Sequence, residues 1–176
     1  MTHAPEMAGD SSPSNEPGGA GPSSTRFEDR AGFEAAVLTL IRRAHSSLLL
    51  IDRDFSDWPL ESPSGEAALR EALRSGVRLR LLVRQPDWLA RHGARFARLQ
   101  RTWSDRIVCR ALPESLRVLD SLAVADRRHA VIRRPPDSVR GIVLLDMPGE
   151  ATAAAERGEA VWEESEPCLP ASTLGL

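Results

Sequence analysis

Two apolar stretches decide the fold: SLLLID at residues 47–52 and VRLRLLV at residues 77–83. A short apolar run bounded by polar residues is typical of a buried strand. Between them, Pro63-Ser64-Gly65-Glu66 begins an amphipathic helix, and Gly76 stands where a C-cap glycine is expected. Strand, helix and strand in this order predict a parallel pair joined by a right-handed crossover.

The same criteria extend the prediction in both directions. Thr25 to Glu28 has the spacing of a capping box before a helix over about Asp29 to His45. The order α-β-α-β-α-β-β-β-β-α predicts an α/β fold with a mixed sheet flanked by helices on both faces. We expect a disordered N-terminal tail at 1–25, one domain at 26–170 and a C-terminal tail at 171–176. The remaining predicted elements are a helix capped by Asp87, the strands Ile107 to Ala111, Ser121 to Ala125, His129 to Arg133 and Gly141 to Asp146, and a helix over Ala151 to Glu164.

Composition excludes several kinds of chemistry. The 176 residues are 41% hydrophobic and 27% charged, and all 23 basic side chains besides histidine are arginine. With no lysine and no tyrosine, the chain cannot use a lysine nucleophile, a Schiff base, a P-loop lysine or a tyrosine acid. No cofactor is expected.

The cysteines and the apolar runs bear on the compartment. Cys109 and Cys168 lie far apart in sequence and form no CxxC motif, which argues against a metal knuckle or a redox dithiol. Isolated thiols fit a reducing cytoplasm. No apolar run reaches the roughly 20 residues of a membrane span, and residues 1–25 lack the apolar core of a signal peptide. We therefore expect a cytoplasmic protein.

Charge is distributed unevenly. Residues 26–145 carry 22 arginines against 15 acids, whereas residues 146–176 carry seven acids against Arg157. Either the acidic end folds back on the basic body, or the basic surface meets an anionic partner such as nucleic acid or phospholipid. The amphipathic, helix-like character of the acidic segment favours the first alternative.

Charged residues follow several predicted strands and form a candidate cleft. Asp52, Arg53 and Asp54 follow the first strand, Arg84 follows the second, and Asp126 follows the strand Ser121 to Ala125. Ligands of open α/β sheets bind beyond the carboxyl ends of strands. Structural pairing, for example of Asp52 or Asp54 with Arg84, is the favoured alternative to ligand binding.

A second candidate is a basic stripe on the third helix. Arg91, Arg95 and Arg98 recur at i, i+4 and i+7, a spacing that can present three cations to phosphates. A solvated helix face, or a docking surface for the acidic C-terminal segment, is the favoured alternative. We further expect His129 to be a solvated turn residue.

The stretch from Leu119 to Asp126, with the returning strand to Ile132, resembles the HxKxxxxD motif of the phospholipase D-like superfamily. Asp126 matches the motif aspartate, but Leu119 replaces the histidine, Ser121 replaces the lysine, and Arg133-Arg134 replaces the Gly-Ser beyond the returning strand. The resemblance spans about residues 30–165. The chain is also similar to uncharacterised bacterial domains of this type through its WExSEP-type stretch at 162–167.

The resemblance implies a fold and bears on function. In the superfamily the histidine attacks phosphorus and the lysine stabilises phosphoryl charge, and neither leucine nor serine can do the same. We therefore expect a catalytically inactive binding or regulatory module in which Ser121 lines a remnant cleft. The alternatives are a phosphodiesterase or nuclease with a rearranged site, and a nucleic-acid-binding protein that uses the arginine stripe. A single half-domain of this type also implies a homodimer.

Overall fold

The computed structural model describes residues 21–113, 115, 120–134 and 138–169. Most of the expected N-terminal tail and the C-terminal tail lie outside these residues. The strands are β1 Ser23–Phe27, β2 Ser47–Asp52, β3 Arg78–Val83, β4 Ile107–Ala111, β5 Ser121–Ala125, β6 His129–Arg133, β7 Gly141–Leu145 and β8 Glu166–Pro167. The helices are α1 Arg30–Arg43, α2 Pro63–Arg74, α3 Asp87–His92, α4 Ala94–Thr102 and α5 Pro148–Glu163, with a short 3-10 helix at Pro59–Glu61.

All eight strands form one mixed sheet in the order β1-β7-β6-β5-β2-β3-β4-β8. β2, β3 and β4 are parallel neighbours, as the strand-helix-strand pattern predicts. β5 pairs antiparallel with β2, and β6 and β7 continue as an antiparallel meander to β1. This arrangement puts the start of β5 beside the end of β2.

Helices cover both faces of the sheet, which confirms the predicted fold class. On one face, apolar side chains of α1, α2 and α4, such as Phe33, Leu69 and Phe96, form the larger core with the sheet. On the other face, α5 packs Ala154 and Trp162 against strands of the same sheet in a second core. The alternation of side chains along the strands supplies both cores from one sheet.

Two predicted helix boundaries are wrong. The expected capping box at Thr25 belongs to strand β1, and α1 is instead capped by Asp29, whose carboxylate accepts from the N–H of Gly32 at 2.7 Å. Strand β1 also takes up the last three residues of the expected tail. The predicted third helix is two helices, because the chain breaks at Gly93, where it leaves the α conformation.

The acidic C-terminal segment folds onto the basic body, as expected, but not on the arginine stripe. Glu159 of α5 accepts from Arg80 at 3.3 Å and also pairs with Arg127. The guanidinium groups of Arg80 and Arg110 lie 5.2 and 4.9 Å from the ring centre of Trp162, as cation–π contacts. α5 therefore docks on the face of the sheet opposite the third and fourth helices. None of the described helices has the length and apolar character needed to cross a bilayer.

Candidate functional site

A buried polar network lies at one end of the central strands of the sheet, where β2 ends and β5 begins. The Ser121 hydroxyl donates a short hydrogen bond to Oδ1 of Asp52. Nη2 of Arg133 lies 3.2 Å from Ser121 Oγ and 3.4 Å from the same Asp52 oxygen. Only 5% of Asp52 and 8% of Ser121 are exposed. Because the groups satisfy one another, each polar atom is compensated for its loss of water.

The second carboxylate oxygen of Asp52 holds the loop that follows β2. It accepts from the N–H groups of Phe55 at 2.8 Å and Asp54 at 3.2 Å. Phe55 has a φ of 64° and is fully buried. A bulky residue adopts this backbone region only when its surroundings enforce it. Asp52 therefore binds the loop with one oxygen and the network with the other.

Arg133 supplies the positive charge of the network. Its guanidinium lies 4.3 Å from the ring centre of Phe33, and its Nη1 lies 3.3 Å from Oδ2 of Asp57. Its side chain is 12% exposed, whereas that of Asp57 is 47% exposed. Arg133 is not among the residues predicted for the cleft, since the resemblance gives it only as part of the Arg133-Arg134 pair that replaces a Gly-Ser. The hairpin register, which pairs Ser121 with Arg133, is the signal that brings the two together.

The other residues predicted for this edge lie near the network. The N–H of Arg84 donates to the carbonyl of Arg53 at 3.0 Å, so the ends of β2 and β3 meet as parallel strands should. Arg53 Nε pairs with Asp54 at 3.2 Å. Burial raises the pKa of Asp54, but hydrogen bonds from Ser56 and the charge of Arg53 outweigh burial and lower it. The acidic partners expected for Arg84 are thus held by other arginines: Asp52 by Arg133 and Asp54 by Arg53.

Asp126 does not lie with these residues. β5 runs antiparallel to β2, so it finishes at the opposite end of the strands. Its carboxylate accepts four hydrogen bonds, from the N–H groups of His45 at 2.7 Å, Ser46 at 2.9 Å and Ser47 at 2.8 Å and from the Ser46 hydroxyl at 2.8 Å. Burial raises the pKa of Asp126, but these hydrogen bonds outweigh it and lower the pKa. Asp126 therefore anchors the turn into β2.

Two cavities adjoin Asp126, with volumes of about 210 and 670 Å³. Their linings also include Arg127, which pairs with Glu159, and the larger one includes Arg128, which pairs with Asp146. Neither lining contains Asp52 or Ser121. The open space of this region is therefore separate from the polar network.

His129 is buried, so its prediction as a solvated turn residue is wrong. Its Nδ1 accepts from the N–H of Asp146 at 2.9 Å. Burial lowers the pKa of His129 more than the nearby Asp146 carboxylate raises it. A neutral imidazole that accepts a backbone hydrogen bond joins the hairpin to β7 and is a structural group.

The arginine stripe is divided between two helices and is partly neutralised. Arg95 donates to Glu66 at 2.8 Å, and Arg98 lies 3.9 Å from the same carboxylate. The hydrogen bond from Arg95 lowers the pKa of Glu66 against the effect of its burial, and the charges of neighbouring arginines add to this. Arg91 pairs with Asp87 at 3.3 Å, and 72% of its side chain is exposed. Arg95 and Arg98 thus contact α2 and not the acidic C-terminal segment, while Arg91 lies on a solvated helix face, and anion binding by the stripe stays a prediction.

Leu119 lies outside the described residues. Within the described part of the chain, no group of three or more His, Cys, Asp or Glu side chains could hold a metal ion. The chemistry available at the network is therefore that of a hydroxyl, a carboxylate and a guanidinium that bind one another.

Comparison with known families gives one match over most of the chain. The model of a family described as "Domain of unknown function (DUF7931)" matches residues 29–174. No curated protein matches the sequence.

Two solved structures with the same fold are those of an archaeal chromatin protein and of a phospholipase D family member. An archaeal chromatin protein, TrmBL2, whose structure "shows a novel mode of DNA binding", is 15% identical with a TM-score of 0.65 over 82% of this chain. This chain spans 54% of the length of TrmBL2. Nuc from Salmonella typhimurium, a phospholipase D family member, is 17% identical with a TM-score of 0.63 over 84% of this chain and 98% of its own.

A third solved structure has the same fold. NucT from Helicobacter pylori is 8% identical with a TM-score of 0.59, over 84% of this chain and 99% of its own. At these identities the likeness is one of fold. It agrees with the phospholipase D-like fold that the Leu119–Asp126 stretch implies.

Proposed function

Because the chain belongs to the family of domains of unknown function DUF7931, whose description states no activity, we propose its function from the geometry of the site. The protein is a phospholipase D-like module that acts by binding or regulation and does not cleave phosphodiesters. The observation that carries this proposal is the closed network of Asp52, Ser121 and Arg133.

Within the described residues, the groups of the network bind one another and none is free for the superfamily's chemistry. Leucine at position 119 has no lone pair with which to attack phosphorus, and the serine at position 121 carries no charge. The cation of the network is Arg133, and its charge is already matched by the Asp52 carboxylate. A guanidinium held in a buried ion pair is not free to stabilise a phosphoryl oxygen.

A rearranged phosphodiesterase is the competing function, and one contact favours it. The hydrogen bond from the Ser121 hydroxyl to Asp52 is that of a nucleophile and a general base. Against it, both residues are buried, and the guanidinium of Arg133 donates to the same hydroxyl oxygen whose lone pair would have to attack. The observed geometry supports the inactive module better.

We expect no phosphodiesterase turnover that depends on the network. Wild-type protein and Ser121→Ala are assayed on bis(p-nitrophenyl) phosphate, single-stranded DNA and phosphatidylcholine vesicles. Equal background rates for the two proteins are expected, because the hydroxyl takes part in no chemistry. Hydrolysis by the wild type that Ser121→Ala abolishes, and that Asp105→Asn at a distant exposed position keeps, would establish the rearranged enzyme instead.

Nucleic-acid binding through the stripe is a second candidate, favoured by the fold that the chain shares with a DNA-binding chromatin protein. In this case DNA is retained at low salt and released as salt rises, since each phosphate contact displaces counterions. Changing Arg91, Arg95 and Arg98 to alanine is then expected to lower affinity about tenfold or more at low salt.

The matched control is a second triple variant, which removes three positive charges outside the stripe. Arg26, Arg74 and Arg140 are exposed and lie outside the stripe, so their triple alanine variant reports the effect of net charge alone. Equal loss in both triple variants, or no retention by the wild type at low salt, rules the stripe out as a DNA site. The homodimer and the cytoplasmic location stay predictions.

A further inference from the structure

The two cysteines, distant in sequence, meet at one edge of the sheet. β4 pairs antiparallel with β8 in a register that sets Arg110 opposite Pro167 and Ala111 opposite Glu166. The next pair in this register is Cys109 and Cys168, and the N–H of Cys168 donates to the carbonyl of Cys109 at 3.0 Å. Their separation in sequence therefore does not exclude a redox dithiol.

Directly opposite residues of an antiparallel pair have a spacing close to the one that a disulfide requires. Their side chains point to the same face, with Cβ atoms about 4.5–5.5 Å apart and Cα atoms about 5.5 Å apart in a hydrogen-bonded pair. A disulfide joins Cα atoms about 4.4–6.8 Å apart. Its Cβ atoms are about 3.5–4.5 Å apart, so the two cysteines must draw about 1 Å closer before the bond forms.

The two thiols differ in a way that suits an attacking and a resolving group. Cys109 is buried, whereas Cys168 is half-buried and reachable from solvent. The hydrogen bond between the thiols lowers the pKa of Cys168 and, with burial, raises the pKa of Cys109. Thiolate character and access together select the reactive cysteine.

We propose that Cys109 and Cys168 form a reversible intramolecular disulfide that fastens the C-terminal segment to the edge of the sheet. The oxidant is a low-molecular-weight disulfide. The Cys168 thiolate attacks one of its sulfur atoms, which forms a mixed disulfide and releases one small thiolate. Cys109 then gives up its proton and attacks the Cys168 sulfur, which releases the second small thiolate. Two protein thiols are oxidised and one small disulfide is reduced to two thiols.

The bond would add a covalent link to a short strand at the edge of the sheet. β8 is two residues long, and the residues after it are held by the hydrogen bonds from the Cys168 N–H to Cys109 and from Gln100 Nε2 to the Leu169 carbonyl at 2.6 Å. A covalent link at Cys168 removes the open conformations of this segment. Oxidation should therefore slow the exchange of the amide hydrogens around β8.

Peptide mapping tests the proposal directly, because trypsin can cut this lysine-free chain only after arginine. Cys109 falls in the peptide 107–110 and Cys168 in the peptide 158–176. The full chain is treated with oxidised glutathione, alkylated and digested without reductant. We expect the two peptides to be joined by a disulfide that dithiothreitol releases, and slower hydrogen exchange at 165–169 in the oxidised monomer.

The variant Cys168→Ser separates the outcomes, because it leaves the buried Cys109 in place. This variant is expected to give no linked peptides and to show the hydrogen-exchange rates of the reduced wild type. Its Cys109 should react with the alkylating reagent only after the protein is unfolded. Glutathione carried separately by Cys168, or peptides linked between two chains on a non-reducing gel, would overturn the proposal. Neither result depends on whether the module has phosphodiesterase activity.

Discussion

Replacing Asp52 by alanine is expected to lower the free energy of unfolding by about 3–5 kcal/mol, the range for breaking one partner out of a buried ion pair. The change leaves the guanidinium of Arg133 next to Phe33 without its buried counter-charge and removes the acceptor of the Ser121 hydroxyl. It also frees the N–H groups of Asp54 and Phe55, which hold the loop after β2. Urea denaturation followed by circular dichroism measures the loss.

Asp57→Ala is the matched control, because it removes the other carboxylate that contacts Arg133. Asp57 is 47% exposed, and its ion pair is screened by water, so we expect a change of about 0–1 kcal/mol. Similar losses for the two variants would mean that the network is not desolvated as a unit. A small loss for both would remove the main support for a closed, inactive site.

Replacing Asp126 by asparagine is expected to cost about 1–3 kcal/mol at neutral pH, because an amide cannot accept with both of its polar atoms. At least one of the N–H groups of His45, Ser46 and Ser47 then loses its acceptor. Asparagine is the appropriate substitute because Asp126 has a φ of 54°, a region that asparagine tolerates.

This loss should depend on pH in a defined direction. The folded protein lowers the pKa of Asp126, so its stabilisation is complete above the ordinary aspartate pKa and is lost as pH falls through the lowered value. The difference between wild type and Asp126→Asn is therefore expected to shrink below about pH 4. Asp105→Asn, at a side chain that is 76% exposed, should change stability by less than about 0.5 kcal/mol. A difference that stays constant into acid would contradict the role of the ionised carboxylate.

The parts of the fold that could be predicted are those with a strong local pattern. The strands Ser47–Asp52, Ser121–Ala125 and His129–Arg133 have the bounds that their apolar runs predict. Strand β1 could not be predicted, because four of its five residues are polar and it lies at an edge with only Phe27 buried. β8 has two residues, too few to carry any alternation.

The residues of the candidate site could be predicted in part, but their grouping could not. Asp52 and Ser121 could be identified from strand ends and from the resemblance, whereas their partner Arg133 required the hairpin register. Asp126 would lie beside Asp52 only if β5 ran parallel to β2, so that both strands finished at the same end of the sheet. The antiparallel pairing of β5 with β2 joins residues far apart in sequence, and no local pattern reports its direction.

The pairing of β1 with β7 also has a consequence for the order of folding. Ser23 lies opposite Leu145, so the first strand leaves the ribosome long before its partner has been made. Long-range pairings of this kind form late and leave a strand edge open to other chains in the meantime. The polar sequence of β1 prevents its prediction from a hydrophobic pattern. The same polar side chains make the unpaired strand less prone to pair with another chain. The polar character that makes this strand hard to recognise is thus also what protects it until β7 has been translated.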